Sequence, residues 1–219
     1  PGPRGRHPLP DPGALQAALR RWGISQGSRV VAYDDADATS AARAWWLLRW
    51  AGIVDVRVLD GGLRAWVAAG QPLSQQVPRP APGDVVVRPG QMPTVDADSA
   101  AMLSTHGVLL DARVAARYRG EVEPIDPVAG HIPGAVSAPA AANTGEDGRF
   151  RSVADLRRFY AGLGADGSRP VGVYCGSGVV AAQQVLALSG IGVSAALYPG
   201  SWSEWVVDDS RPVATGEGT

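Results

Sequence analysis

Cys175 is the one cysteine in 219 residues, and Gly176, Ser177, Gly178, Val179 and Val180 follow it directly. Glycines at 176 and 178 let the backbone fold back on itself, so that successive amides converge as an anion-binding nest. A helix starting near Gly178 would add the positive end of its dipole. Both effects favour thiolate over thiol, and the thiolate is the nucleophilic form of cysteine. The same amides suit the terminal sulfur of a persulfide anion, or an incoming sulfur oxyanion, by the physics of an oxyanion hole. A covalent ping-pong transfer through Cys175 is the chemistry this loop fits.

A lone cysteine is more often inert packing. The sequence argues otherwise because it is written about one and a half times. One copy runs from Arg29 through Tyr33, Asp34 and a helical stretch Thr39 to Trp50, then Val56 to Leu59, Gly61-Gly62 and Trp66. The other runs from Pro170 through Tyr174, Cys175 and a helical stretch Gly178 to Ser189, then Ser194 to Leu197, Gly200 and Trp205. The two tyrosines lie 141 residues apart and the two closing tryptophans 139, so the repeat holds with a two-residue indel. Such repetition means duplicated domains. The position matching Cys175 is Asp34, and a core site does not readily exchange cysteine for a charged aspartate.

The remaining elements must hold that turn in place. A helix is expected over about Asp96 to Ser104, a buried strand over Val108 to Leu110 ending at Asp111, and a helix from Ser152 with Asp155 three residues on. The strand Val171 to Tyr174 then delivers Cys175. Strands alternating with helices predict a parallel α/β sheet, and the end of a strand is where such sheets bind ligands. The proline-rich stretch Val77 to Gly83 reads as a stiff connection. Residues 1–80 form a first, partial domain, 81–92 a linker and 93–219 a second domain. The first copy lacks the early strand and its terminal aspartate, so that domain reads as N-terminally incomplete. Trp45, Trp46, Trp50, Trp66, Trp202 and Trp205 read as core and interface near the domain junction rather than as a substrate box.

Composition removes several classes. All 20 basic residues are arginine, which excludes a Schiff-base or phosphate-loop lysine. A net charge of −1 gives no reason to expect nucleic acid or an anionic membrane. One cysteine forms no internal disulfide, and His7, His106 and His131 are too scattered for a zinc site. His131 reads as a loop-fixing residue. The best apolar run, Val179 to Leu188, is too short to span a bilayer and contains Gln183 and Gln184. No metal, cofactor, nucleic acid or membrane is expected, and the cytoplasm is the expected compartment.

The segment Tyr174 to Ala181 resembles the active-site loop of rhodanese-family sulfurtransferases. Leu110 to Gly120 is similar to the stretch opening their catalytic domain. Gly130-His131-Ile132-Pro133-Gly134 and Gly200 to Trp205 match two further signatures. Arg6 to Pro10, Ala42 to Trp46 and Asp60 to Gly62 resemble the family's inactive N-terminal domain. The resemblance implies two rhodanese-like domains, each a parallel sheet flanked by helices. It also implies transfer of sulfane sulfur from 3-mercaptopyruvate or thiosulfate, through a Cys175 persulfide, to cyanide or a thiol, thioredoxin among the acceptors. Arg117 corresponds to the arginine that binds the donor's anionic group, and Asp111 to an aspartate that orients an arginine or the loop.

The uncharged Gly176 and Ser177 resemble mercaptopyruvate enzymes, whereas thiosulfate-preferring relatives carry basic residues in the loop. Two departures weigh against that donor. Val180 stands where threonine is common, and Glu123-Pro124-Ile125-Asp126 replaces a second arginine with acids that would repel a carboxylate if they pointed inward. Two other classes compete. A phosphatase of this fold needs Cys-x5-Arg, but Ala181 stands at that position. The other is a non-catalytic sulfur-carrier or interaction module, against which the intact cysteine loop argues.

Overall fold

Asp11 accepts a hydrogen bond from the Ala14 amide at 2.9 Å, and Pro12 fills the first helical position, so helix α1 (Pro12–Arg21) begins there. It belongs to one of two compact units in the computed structural model, which describes residues 2–35 and 37–217. That unit comprises Leu9–Met92 with Glu146–Arg149. Strand β1 (Val30–Ala32), helix α2 (Thr39–Trp50), strand β2 (Val56–Val58) and helix α3 (Gly62–Ala68) follow, and β1 pairs with β2 in parallel. Helix α2 buries Ala41, Ala42, Trp45, Trp46, Leu48 and Trp50. Trp66 on α3 is not core: it is 36% exposed and donates through Nε1 to the Pro72 carbonyl.

The second unit comprises residues 2–8, 93–145 and 150–217. Its elements are helix α4 (Ala97–His106), strand β3 (Val108–Asp111), helix α5 (Ala115–Tyr118), strand β4 (Val136–Ser137), helix α6 (Val153–Gly162), strand β5 (Val171–Tyr174), helix α7 (Val180–Gly190), strand β6 (Ala195–Leu197) and helix α8 (Ser201–Trp205). The four strands lie in the order β4-β3-β5-β6, all parallel. Every residue of β3 and β5 is buried, as expected for central strands covered on both faces. Asp96 caps α4 by accepting from the Ser99 amide, and Ser152 caps α6 by accepting from the Asp155 amide. Leu109, Tyr118, Ile132, Tyr174, Tyr198, Trp202 and Trp205 form the core cluster beside the sheet.

Several elements differ from the sequence expectation, helices α1 and α5 among them, which it did not include. Helix α7 starts at Val180 rather than near Gly178, because residues 176–179 are used as the loop. Strand β4 was too short to announce itself: two residues pair with Leu110 and Asp111. Buried polar side chains fix α7 laterally. Tyr160 donates to Asn143, Asn143 donates to Gln183, and Gln184 donates to the Ala138 carbonyl. Among the described residues, no helix is long and apolar enough to cross a membrane.

Candidate active site

Strand β5 ends at Tyr174, so Cys175 lies at the carboxyl edge of the sheet, 2% exposed. Its Sγ accepts from the Gly178 amide at 3.1 Å and from the Ser177 amide at 3.5 Å. The nest is therefore formed around the sulfur, with the first turn of α7 immediately beyond it. Gly178 carries the fold-back in a left-handed conformation, φ +78°, and a Cβ there would lie 2.4 Å from the Pro199 carbonyl oxygen. The matching position of the other unit repeats the device with different chemistry. Asp34 accepts from the amides of Ala38 and Ala41 at the start of α2, at 3.1 and 2.7 Å. One copy presents a carboxylate to its helix, the other a sulfur.

Helix α8 clamps the backbone of the loop from outside. The Cys175 amide donates to Ser201 Oγ at 3.1 Å, the Trp202 amide to the Cys175 carbonyl at 3.0 Å, and the Ser203 amide to the Gly176 carbonyl at 3.0 Å. Ser201 holds this with φ +53°, a left-handed conformation uncommon for serine. Its hydroxyl in turn donates to the Tyr198 carbonyl.

Over the loop lies a ladder of alternating charge. Asp111, at the end of β3, takes Arg113 through Nε and Nη2, the latter at 2.6 Å. Arg113 lies 3.5 Å from Glu123, which accepts two bonds from Arg117 at 2.6 and 3.0 Å. Arg117 also donates to Asp126 at 3.0 Å, and the other oxygen of Asp126 takes Arg6. Burial pushes the Glu123 carboxyl up. The Arg117 hydrogen bond and the amides of Asp126 and Ile125 outweigh it and hold Glu123 below the ordinary range. Burial likewise opposes the charge on Arg113, but Asp111 and Glu123 keep it well above its ordinary value. Arg113 also stacks over Trp202, 4.6 Å from the ring centroid.

Among the residues singled out in sequence, Cys175, Gly176, Ser177, Gly178, Val179 and Val180 form the loop and its exit into α7. Arg117 is brought to it: a Cβ placed on Gly176 would lie 3.4 and 3.5 Å from its two terminal nitrogens. Asp111 is engaged by Arg113 instead and reaches Arg117 only through Glu123. His131 is fully buried, stacks on Tyr118 at 3.7 Å and bonds through Nδ1 to the Tyr118 carbonyl. Asp126 departs from the fear that it would face a donor bare, because its side chain is 1% exposed and paired with two arginines. The sequence reading missed Arg6, Arg113 and Ser201. Arg113 stands four residues before Arg117, while Arg6 and Ser201 lay inside motifs noted only for their resemblance.

The Rhodanese-like domain family matches residues 3–69 and 96–208. A Pseudomonas aeruginosa relative is 51% identical over 99% of this chain and 78% of its own length. A Mycobacterium tuberculosis relative is 49% identical over 97% of this chain and 76% of its own length. Their names, both provisional, are 3-mercaptopyruvate sulfurtransferase and thiosulfate sulfurtransferase SseB. The 3-mercaptopyruvate sulfurtransferase of Escherichia coli is 34% identical over 94% of this chain and 75% of its length. Among solved structures, an EanB variant bearing a cysteine persulfide, with ergothioneine, matches with a TM-score of 0.86 at 26% identity. The match covers 99% of this chain and 57% of that one, so this chain spans little more than half of EanB.

Proposed function

Because this chain belongs to the rhodanese family and shares its parallel α/β fold, we propose that it is a sulfurtransferase working through a Cys175 persulfide. The observation that supports the reading is the pair of amide donors aimed at the sulfur of the one cysteine. With 3-mercaptopyruvate as donor, the Cys175 thiolate attacks the donor sulfur and an S–S bond forms. The donor's C–S bond breaks, its electron pair stays on carbon as an enolate, and a proton from solvent completes pyruvate. With thiosulfate, the bond broken is S–S and sulfite leaves. Cyanide or a thiolate then attacks the outer sulfur and returns Cys175 as thiolate, which makes two half-reactions on one residue.

The amides of Ser177 and Gly178 stabilise the anionic sulfur in both halves without reorganising. Arg117 serves as the anchor for the anionic part of the donor, oriented by Glu123. Asp111 is a support that holds Arg113, not a base. The partners are a small-molecule sulfur donor and a thiophilic acceptor. A free cysteine in this role suits a reducing compartment such as the cytoplasm, where a thioredoxin-type dithiol would be one acceptor.

The test is mass spectrometry of the protein after donor treatment and gel filtration, alongside cyanolysis kinetics. Wild type should gain one sulfur atom on Cys175 and release it to cyanide, and Cys175→Ser should do neither. Full turnover by Cys175→Ser would overturn the reading. Values of kcat/KM for 3-mercaptopyruvate and thiosulfate decide the donor, with the first expected to be larger.

A further inference from the structure

We infer that Arg6 is a second carboxylate-binding residue for the sulfur donor, acting opposite Arg117 across Gly176; the inference rests on the sulfurtransferase reading above. A Cβ placed on Gly176 would lie 2.9 Å from Nη2 of Arg6 and 3.4 Å from Nη1 of Arg117. Two guanidinium groups thus converge beside Gly176, close in because that residue has no Cβ, and next in sequence to the nucleophile. Neither of those two nitrogens is spent on the acids of the ladder. Arg6 meets Asp126 through Nη1, while Arg117 uses Nε and Nη2 for Glu123 and Nη2 for Asp126.

Arg6 is held there, not swept past by a loose segment. Its amide donates to Ser203 Oγ at 3.1 Å, and a Cβ on the preceding Gly5 would lie 2.5 Å from the Gly200 carbonyl. The backbone of residues 5 and 6 therefore lies against α8, the element that also clamps Cys175 and Gly176. Asp126 bridges the two arginines and fixes the direction of both forks. A second arginine, missing from the Glu123 to Asp126 stretch, is supplied 120 residues away in sequence from Asp126.

The chemistry selects the ligand class. Arg6 and Arg117 are balanced by Asp126 and Glu123, so the group offers aimed N–H donors with no surplus of positive charge. Such an arrangement suits a planar monoanion that two forks can grip, a carboxylate, better than a compact dianion that demands net charge. Arginine donors at this point also explain how a loop with no charge of its own can seat an anionic donor.

Alkylation of Cys175 by iodoacetate and by iodoacetamide tests this, because the two reagents differ in the carboxylate alone. In each reaction the thiolate displaces iodide and a thioether forms. Arg6→Ala should lower the iodoacetate-to-iodoacetamide rate ratio by about 10-fold, the loss of one charge-assisted hydrogen bond, and leave the iodoacetamide rate near wild type. KM for 3-mercaptopyruvate should rise by a similar factor, with thiosulfate less affected. In Arg6→Ala/Asp126→Asn the ratio should stay low. An unchanged ratio in Arg6→Ala overturns the inference. So does an equal fall with both reagents, which would mean a slackened loop, and so does restoration of the ratio in the double variant, which would mean that Arg6 only neutralises Asp126. The ratio is read without any sulfur transfer, so a failure of the sulfurtransferase reading would show separately, as an absent persulfide.

Discussion

The Gly178 amide donates to the sulfur of Cys175 at 3.1 Å, and it does so from a backbone conformation that only glycine adopts there without strain. The donor and the left-handed turn are one feature. Gly178→Ala brings a Cβ to 2.4 Å from the Pro199 carbonyl, against backbone that cannot swing aside as a side-chain tip would. The loop must shift and the amide must leave the sulfur. We expect persulfide formation to slow by about 100-fold, as for the loss of one aimed donor at a developing anion. Stopped-flow measurement of the first half-reaction checks this, and a rate near wild type would show that the nest is not used.

The buried ion pair between Arg113 and Asp111 serves stability more than reaction. Asp111 is fully buried and the Arg113 side chain is 2% exposed, so removing either strands a charge. Arg113→Met should cost about 3–5 kcal/mol in urea unfolding. Asp111→Asn/Arg113→Met should cost less than Arg113→Met alone, since no bare carboxylate remains. Equal losses in both variants would mean that packing of Arg113 on Trp202, not charge, dominates.

The site was partly legible in sequence because its central part is local. Cys175, its glycines and the strand before it are contiguous, and the alternation of apolar strand with helix follows from burial on both faces of β3 and β5. Asp96 and Ser152 announce their helices because a cap acts over three residues. The roles of Arg6 and Ser201 left no such trace. Their partners, Asp126 and the Cys175 amide, lie 120 and 26 residues away, and ion pairs or hydroxyl bonds of that span impose no periodicity on the chain. The charge ladder is likewise a property of the folded chain: its six members read, in sequence, as ordinary scattered charges.

His131 gives the fold a pH dependence near neutrality. Burial pushes its imidazole below the ordinary 6.5, while the hydrogen bond to the Tyr118 carbonyl pulls the other way. The unfolded chain therefore binds a proton at a higher pH than the folded one. The contribution of His131 is fully present above pH 6.5 and is lost as pH falls from there toward the lower folded value. Stability should decline as pH falls below about 6.5, with a slope of at most about 1.4 kcal/mol per pH unit. His131→Asn should flatten that slope while lowering stability overall. Glu123, also held below its ordinary 4.5, acts in a separate window below that pH. An unchanged slope in His131→Asn would assign the dependence elsewhere.

Ser201 separates anchoring of the loop from the strain that anchoring requires. Its hydroxyl accepts from the Cys175 amide and donates to the Tyr198 carbonyl, at φ +53°. Ser201→Gly relieves the backbone strain but removes the hydroxyl, whereas Ser201→Ala removes the hydroxyl and keeps the strain. Each leaves the buried Cys175 amide without its acceptor, at a cost of about 1–3 kcal/mol. Glycine should therefore be the more stable of the two, by up to about 1–2 kcal/mol. Both should slow persulfide formation to a similar extent, because both free the nucleophile's backbone from α8. If Ser201→Ala kept the wild-type rate while losing stability, the α8 clamp would be a folding device with no bearing on the position of the sulfur.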